Sequence, residues 1–190
     1  MKCKKMAALV LGLLLSLGAL AGCAGEPAMA EDSPLSSFTA DTLDGGTFTQ
    51  DSIREKDVTV INFWGTFCPP CLAEMPDLAA YAKALPDNVQ LITVCLDVAN
   101  EETANSARAI LDSAGFEGVT LIPGDDPDFL SLCQSVQAVP TTIFVDSKGN
   151  IAENPIIGGQ ADLEMMTENY TGKVNEVLTA SGKAEISFAD

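Results

Sequence analysis

Residues 58–64 read Val-Thr-Val-Ile-Asn-Phe-Trp, an almost wholly apolar run, and three residues later comes Cys68-Pro69-Pro70-Cys71. A run that is apolar at successive positions predicts a strand buried on both faces of a central sheet. After it, Leu72, Met75, Leu78, Ala79 and Ala82 recur at helical spacing, which predicts a helix over 68–85 with Pro76 as a kink point. The two cysteines therefore fall where a buried strand passes into a helix. That placement carries chemistry, because a thiol reacts as thiolate and an ordinary cysteine with pKa of about 8.5 supplies little of it at neutral pH. The unpaired N–H groups and the dipole at a helix N-terminus stabilise the anion. Cys68 is expected as the exposed first-turn sulfur. Cys71, one turn on, is close enough to close a small ring, so the pair could cycle between dithiol and disulfide. A structural disulfide or a metal-ligand pair would use the same spacing.

The remaining pattern fits around this unit. Residues 39–48 predict a hairpin turning at Asp44-Gly45-Gly46. Further strands are expected at 89–97 and 119–122, a helix at Glu101–Ala114 closed by Gly115, and a short helix at 128–135. A late hairpin is expected from Thr141–Asp146 and 151–157, with Pro155 confining its second arm to the sheet edge. A closing helix spans 163–178. Strand–helix alternation followed by a hairpin implies an α/β fold with a mixed central sheet and helices on both faces.

Trp64-Gly65-Thr66-Phe67-Cys68-Pro69-Pro70-Cys71 followed by Leu72-Ala73-Glu74-Met75-Pro76 resembles the TlpA/ResA-like branch of the thioredoxin family. Ala138-Val139-Pro140-Thr141-Thr142 is similar to that family's loop before a core strand, and residues 39–51 to the branch's added N-terminal β-hairpin. The resemblance implies a thioredoxin fold and a thiol–disulfide oxidoreductase working without a cofactor beyond its redox-active disulfide. It implies that Cys68 attacks and forms the mixed disulfide, that Cys71 resolves it, and that Pro140 is cis and faces the cysteines. By the same resemblance Val139 pairs with the substrate backbone and Glu74 serves the buried thiol as proton acceptor or relay. Trp64, Phe67, Pro69 and Pro70 complete the expected substrate-binding surface, with Trp64 also a natural core residue. Asn62 stands where many thioredoxins carry a buried Asp, and an amide does not titrate. Implied partners are disulfides of exported proteins (apocytochrome c, peroxiredoxin or methionine sulfoxide reductase type) and a membrane electron donor.

The start of the chain predicts an exported protein. Lys2, Lys4 and Lys5 precede an apolar run over residues 6–20, too short for a comfortable membrane span, and Leu20-Ala21-Gly22-Cys23 resembles a lipobox. The expected organisation is a lipoprotein signal over residues 1–22, a flexible tether over 23–37 beginning at lipidated Cys23, and a thioredoxin-like domain over 38–190. The expected location is the outer face of the cytoplasmic membrane, as a monomer. Residues 1–22 hold three of the ten basic residues and none of the 27 acidic ones, so the remainder carries a net charge of −20. Such a surface disfavours nucleic acid as a partner.

Cysteine usage adds one open question. Of six cysteines, Cys3 leaves with the signal and Cys23 is capped, which leaves Cys68, Cys71, Cys95 and Cys133. Cys95 and Cys133 could form a second structural disulfide, two buried free thiols, or a second redox pair. They do not form a second CxxC, so no metal site is expected. The absence of His excludes Ser–His–Asp and Cys–His catalysis. No peroxidatic Pro-x-x-x-Thr/Ser-x-x-Cys segment occurs, which excludes peroxiredoxin chemistry. Two alternatives remain beside a reductase: an oxidant that inserts disulfides, and a non-catalytic binding lipoprotein.

Overall fold

The computed structural model describes residues 32–188. The signal, Cys23 and most of the tether lie outside them. Twelve elements follow in order: β1 (Thr39–Thr42), β2 (Thr47–Thr49), α1 (Gln50–Arg54), β3 (Val58–Trp64), α2 (Pro69–Ala84), β4 (Val89–Cys95), α3 (Glu101–Ala114), β5 (Thr120–Ile122), α4 (Pro127–Ser135), β6 (Thr141–Asp146), β7 (Ile156–Ile157) and α5 (Leu163–Ala180). The strands make one seven-stranded sheet in the order β2-β1-β5-β4-β3-β6-β7. β3, β4 and β5 run parallel. β6 returns antiparallel beside β3, and the N-terminal hairpin adds β1 and β2 antiparallel beyond β5.

Side-chain alternation along the central strands divides the core between two faces. From β3, Val58, Val60 and Trp64 point toward α2, α3 and α5, while Ile61 and Phe63 point toward α1 and α4. All seven residues of β3 are buried, as a strand covered on both faces requires. Each helix begins on a side chain that accepts its first free N–H groups: Thr49 for α1, Asn100 for α3, Asp126 for α4 and Asp162 for α5. Gly115, at φ +72°, ends α3 in the left-handed conformation that a glycine permits.

Three expectations need correction, and one element is additional to them. The tether does not extend to Ser37: Leu35 is 0 % exposed within the α1/α4 core, and the Ser33 hydroxyl donates to the Gly149 carbonyl. The second arm of the late hairpin is not continuous over 151–157. Only Ile156–Ile157 pairs with Thr141–Thr142, with a single bridge from Ile151 to Val145. Pro155 has no N–H to donate and Asn154 takes φ +60°, so the chain between these points leaves the ladder. The buried face of α2 carries Cys71, Glu74, Met75, Leu78, Ala79 and Tyr81, whereas Leu72 is exposed. The helix runs on through Pro76 to Ala84. The five-residue α1, capped by Thr49, was not expected at all.

Candidate active site

The site is assembled at the carboxyl ends of the parallel strands. β3 ends at Trp64, and Gly65, Thr66 and Phe67 turn the chain into α2. Cys68 is the N-cap of α2, with Pro69 and Pro70 as its first helical residues. Prolines are tolerated there because their missing N–H groups would have had no helical partner. The first N–H that remains belongs to Cys71, and it donates to Cys68 Sγ at 3.3 Å. Cys68 and Cys71 are joined as a disulfide with Cα atoms 5.3 Å apart. Cys68 retains 4 % exposure and Cys71 none, so Cys68 is much less open than a first-turn sulfur was expected to be, yet it remains the reachable one.

β6 brings the second half of the site. Its first residue, Thr141, pairs with Phe63 in antiparallel register, so the residues before it lie beside the end of β3. The Val139–Pro140 bond is cis, as the resemblance implied. The Val139 carbonyl oxygen lies 3.6 Å from Cys68 Sγ. Val139 is half-buried and Pro140 buried, and the Pro140 carbonyl accepts the Gly158 N–H at 2.8 Å. Phe67 is 68 % exposed beside Cys68, and Pro69 and Pro70 are exposed as well. Ile157, paired with Thr141, is 67 % exposed. Trp64 does not belong to this rim: it is fully buried in the core, facing the same side of the sheet as Cys95, its register partner on β4.

Glu74 is 3 % exposed and lies on the buried face of α2. Its Oε2 accepts the Gln160 backbone N–H at 2.9 Å, and its Oε1 accepts from Asn62 Nδ2 at 3.3 Å. Asn62 Nδ2 also donates to Thr142 Oγ1 at 3.0 Å, and that hydroxyl is 2.8 Å from the Tyr170 hydroxyl. Burial raises the Glu74 pKa above its ordinary 4.5, and the two donors offset only part of that rise. Asn62 thus occupies the buried position below the cysteines as a donor to the carboxylate. Its own Oδ1 has no hydrogen-bond partner among the described residues.

Cys95 and Cys133 are free thiols, both buried. They sit on opposite faces of the sheet, Cys95 with α2 and α3 and Cys133 under α4, so neither a second disulfide nor a second redox pair forms between them. Burial raises both thiol pKa values, that of Cys133 to about 11. The Cys95 thiol is raised further by the Asp97 carboxylate, to which it donates at 3.2 Å. Asp97 was not singled out from sequence. It accepts the Thr66 N–H at 3.0 Å as well as the Thr66 hydroxyl. Its position just past the carboxyl end of a central strand is the one signal that could have marked it. Gln160 was also missed, and the Gly158-Gly159 pair before it was the available cue. Among the described residues no group of three or more His, Cys, Asp or Glu side chains could hold a metal ion.

Comparison with known proteins agrees with this geometry. The AhpC/TSA family matches residues 32–154. The chain belongs to that family. Thioredoxin-like protein YneN of Bacillus subtilis is 30% identical over 116 residues, which are 61% of this chain and 65% of YneN. Thiol-disulfide oxidoreductase ResA of Bacillus thuringiensis is 28% identical over 138 residues, 72% of this chain and 74% of ResA. A thiol:disulfide interchange protein of the thioredoxin family from Chlorobium tepidum superposes with a TM-score of 0.60 at 20% identity, covering 76% of this chain and 98% of that one, and so shares the fold. The chain is a thiol–disulfide oxidoreductase of the ResA-like kind, and Cys68–Cys71 is the pair whose geometry suits that activity. Of the two arginines, Arg54 pairs with Asp51, and Arg108 with Glu101 and Asp44.

Proposed function

We propose that this enzyme is exported, is held at the outer face of the cytoplasmic membrane by lipid on Cys23, and reduces disulfides of exported partner proteins. The observation that carries the reading is the unequal access of the two sulfurs, Cys68 at the helix cap beside the Val139 carbonyl and Cys71 enclosed behind it. In the reduced enzyme the Cys68 thiolate attacks a partner disulfide, forming a Cys68–partner bond and expelling one partner thiolate. Cys71 then gives its proton to Glu74, and its thiolate attacks Cys68 Sγ. The second partner thiolate leaves and the Cys68–Cys71 bond closes. The two electrons now held by the partner are replaced by a membrane dithiol donor. The exposed apolar pair Phe67 and Ile157 gives the partner a surface to cover.

The anchor rests on the basic start, the apolar run and Leu20-Ala21-Gly22-Cys23 in that order. A single acyl chain holds a protein to a membrane only marginally, so two or more are expected on Cys23. Cys23→Ala should release the protein from the membrane fraction. The direction of catalysis is tested by equilibrating the full-length chain with thiol buffers, trapping free thiols and reading masses. A Cys68–Cys71 potential near that of thioredoxin, about −270 mV, marks a reductant, whereas one near −120 mV marks an oxidant and would overturn the reading.

A further inference from the structure

The carboxylate of Glu74 is held by a segment 86 residues away in sequence. After β7 the chain runs through Gly158, Gly159 and Gln160 before α5 begins. Gly158, at φ +94°, donates its N–H to the Pro140 carbonyl at 2.8 Å. Gly159 then passes so close to α2 that a Cβ on it would lie 3.3 Å from Glu74 Oε2 and 3.6 Å from the Cβ and the carbonyl oxygen of Pro70. That approach brings the Gln160 N–H to 2.9 Å from Glu74 Oε2. The Gln160 side chain is itself fixed, its Oε1 accepting from Asn169 Nδ2 of α5 at 2.6 Å. One short strap therefore links the partner-facing edge at Pro140 to the buried carboxylate.

We propose that Gly159 and Gln160 are positioning residues of the active site: the strap holds the Glu74 carboxylate in place through the Gln160 N–H and keeps it available as a proton acceptor. The proposal rests on the reading of Glu74 as the acceptor for the Cys71 proton. The physical need is plain. A carboxylate removed from water becomes a neutral acid unless donors replace the lost hydration, and a main-chain N–H is a donor that cannot rotate away. Of the other groups around Glu74, Asn62 shares that role, donating from Nδ2 to Oε1 at 3.3 Å, and the rest do not. On α2, Asp77 repels its charge and reduced Cys71 is the proton source. From α5, Tyr170 is kept protonated by burial, with the Glu74 charge adding to the effect, and its hydroxyl pairs with Thr142. β3 and β6 present only Asn62 and Thr142, neither of which titrates.

The test is a pH titration of the full-length chain by NMR, following the Glu74 side-chain carboxyl and the Gln160 amide together. The Gln160 amide resonance should move with the same midpoint as Glu74; an amide that stays flat while Glu74 titrates overturns the proposal. Gln160→Pro, which removes the N–H, should raise the Glu74 midpoint by about one pH unit, in line with the strength of a hydrogen bond to a charged group. Gln160→Ala, which keeps the N–H, should leave the midpoint where it is. An unmoved midpoint in Gln160→Pro also overturns the proposal. Should that variant not fold, Gly159→Ala, whose backbone angle admits a side chain, takes its place and should push the strap off Glu74 and raise the midpoint likewise. The pH profile for resolution of the mixed disulfide should shift upward in parallel with the midpoint. The outcomes separate from those for the mechanism: full turnover in Glu74→Gln would remove Glu74 as acceptor while leaving the amide titration intact, whereas a flat Gln160 amide removes the strap while leaving the effect of Glu74→Gln.

Discussion

Asp97, just past the end of β4, accepts both the backbone N–H of Thr66, at 3.0 Å, and the Thr66 hydroxyl, and so pins the turn that delivers Cys68 to the head of α2. Replacing it with Ala leaves a half-buried N–H and a hydroxyl without their acceptor and removes the partner of the Cys95 thiol. Each hydrogen bond to a charged group contributes about 1.5–3 kcal/mol, so Asp97→Ala should lower unfolding free energy by about 2 kcal/mol or more in a urea titration. The pH dependence has a definite sign. Burial alone would raise the Asp97 pKa, but the hydrogen bonds from Thr66 and Cys95 outweigh it and hold the folded value below the ordinary 3.8. The stabilisation is therefore complete above 3.8 and is lost as pH falls through the lower folded value. A gap between wild type and Asp97→Ala that stayed constant down to the acid limit would refute the role.

Glu74 has the opposite sign. Burial raises its folded pKa above 4.5 despite the donors from Gln160 and Asn62, so ionising it opposes folding. That cost is absent below 4.5 and complete once pH has risen past the raised value. Glu74→Gln removes it, so the stability of the variant relative to wild type should rise with pH through this window. Turnover in insulin reduction should meanwhile fall by about 10²-fold, the scale of a lost general base. Equal turnover in the two proteins would take Glu74 out of the mechanism.

The strand–turn–helix unit was legible because its physics is local. An apolar run specifies β3, and the helix pattern starting at Cys68 specifies the thiolate-stabilising terminus. Val139-Pro140-Thr141 was legible only through resemblance. What was not legible depends on which face each element presents. The spacing of Leu72 with Met75 and Ala79 predicts one apolar face of α2, but the helix is rotated so that Glu74 is buried and Leu72 is not. Which side of the sheet α4 covers, and hence whether Cys95 points toward it, is decided by the crossover of the chain and not by any local pattern. Contacts such as Thr66–Asp97 and Glu74–Gln160 join residues 31 and 86 positions apart, and no periodicity encodes them.

Cys95 and Cys133 should behave as core residues. In the reduced native protein an alkylating reagent should label Cys68 first and leave these two thiols untouched, because both are buried and both thiol pKa values are raised by that burial. Adding denaturant should expose both. Mass spectrometry at each stage reads the count, and a mass two hydrogens lower for the Cys95 and Cys133 peptides together would contradict their placement on opposite faces.

Phe67 offers the cleanest separation of partner recognition from folding. The ring is 68 % exposed, so Phe67→Ala should change stability by no more than about 0.5 kcal/mol. It folds back over Gly65, where an added Cβ would lie 2.6 Å from Phe67 Cε1, so Gly65→Ala should dislodge the same ring without deleting it. If the exposed ring is part of the surface that a protein partner covers, both substitutions should raise KM for a protein disulfide several-fold. Both should leave the rate with a small-molecule disulfide unchanged, since that reagent needs only the Cys68 sulfur. A matching loss with both substrates would instead mean that the ring acts on Cys68 itself, by shielding or orienting it, and would move Phe67 from recognition into the chemistry.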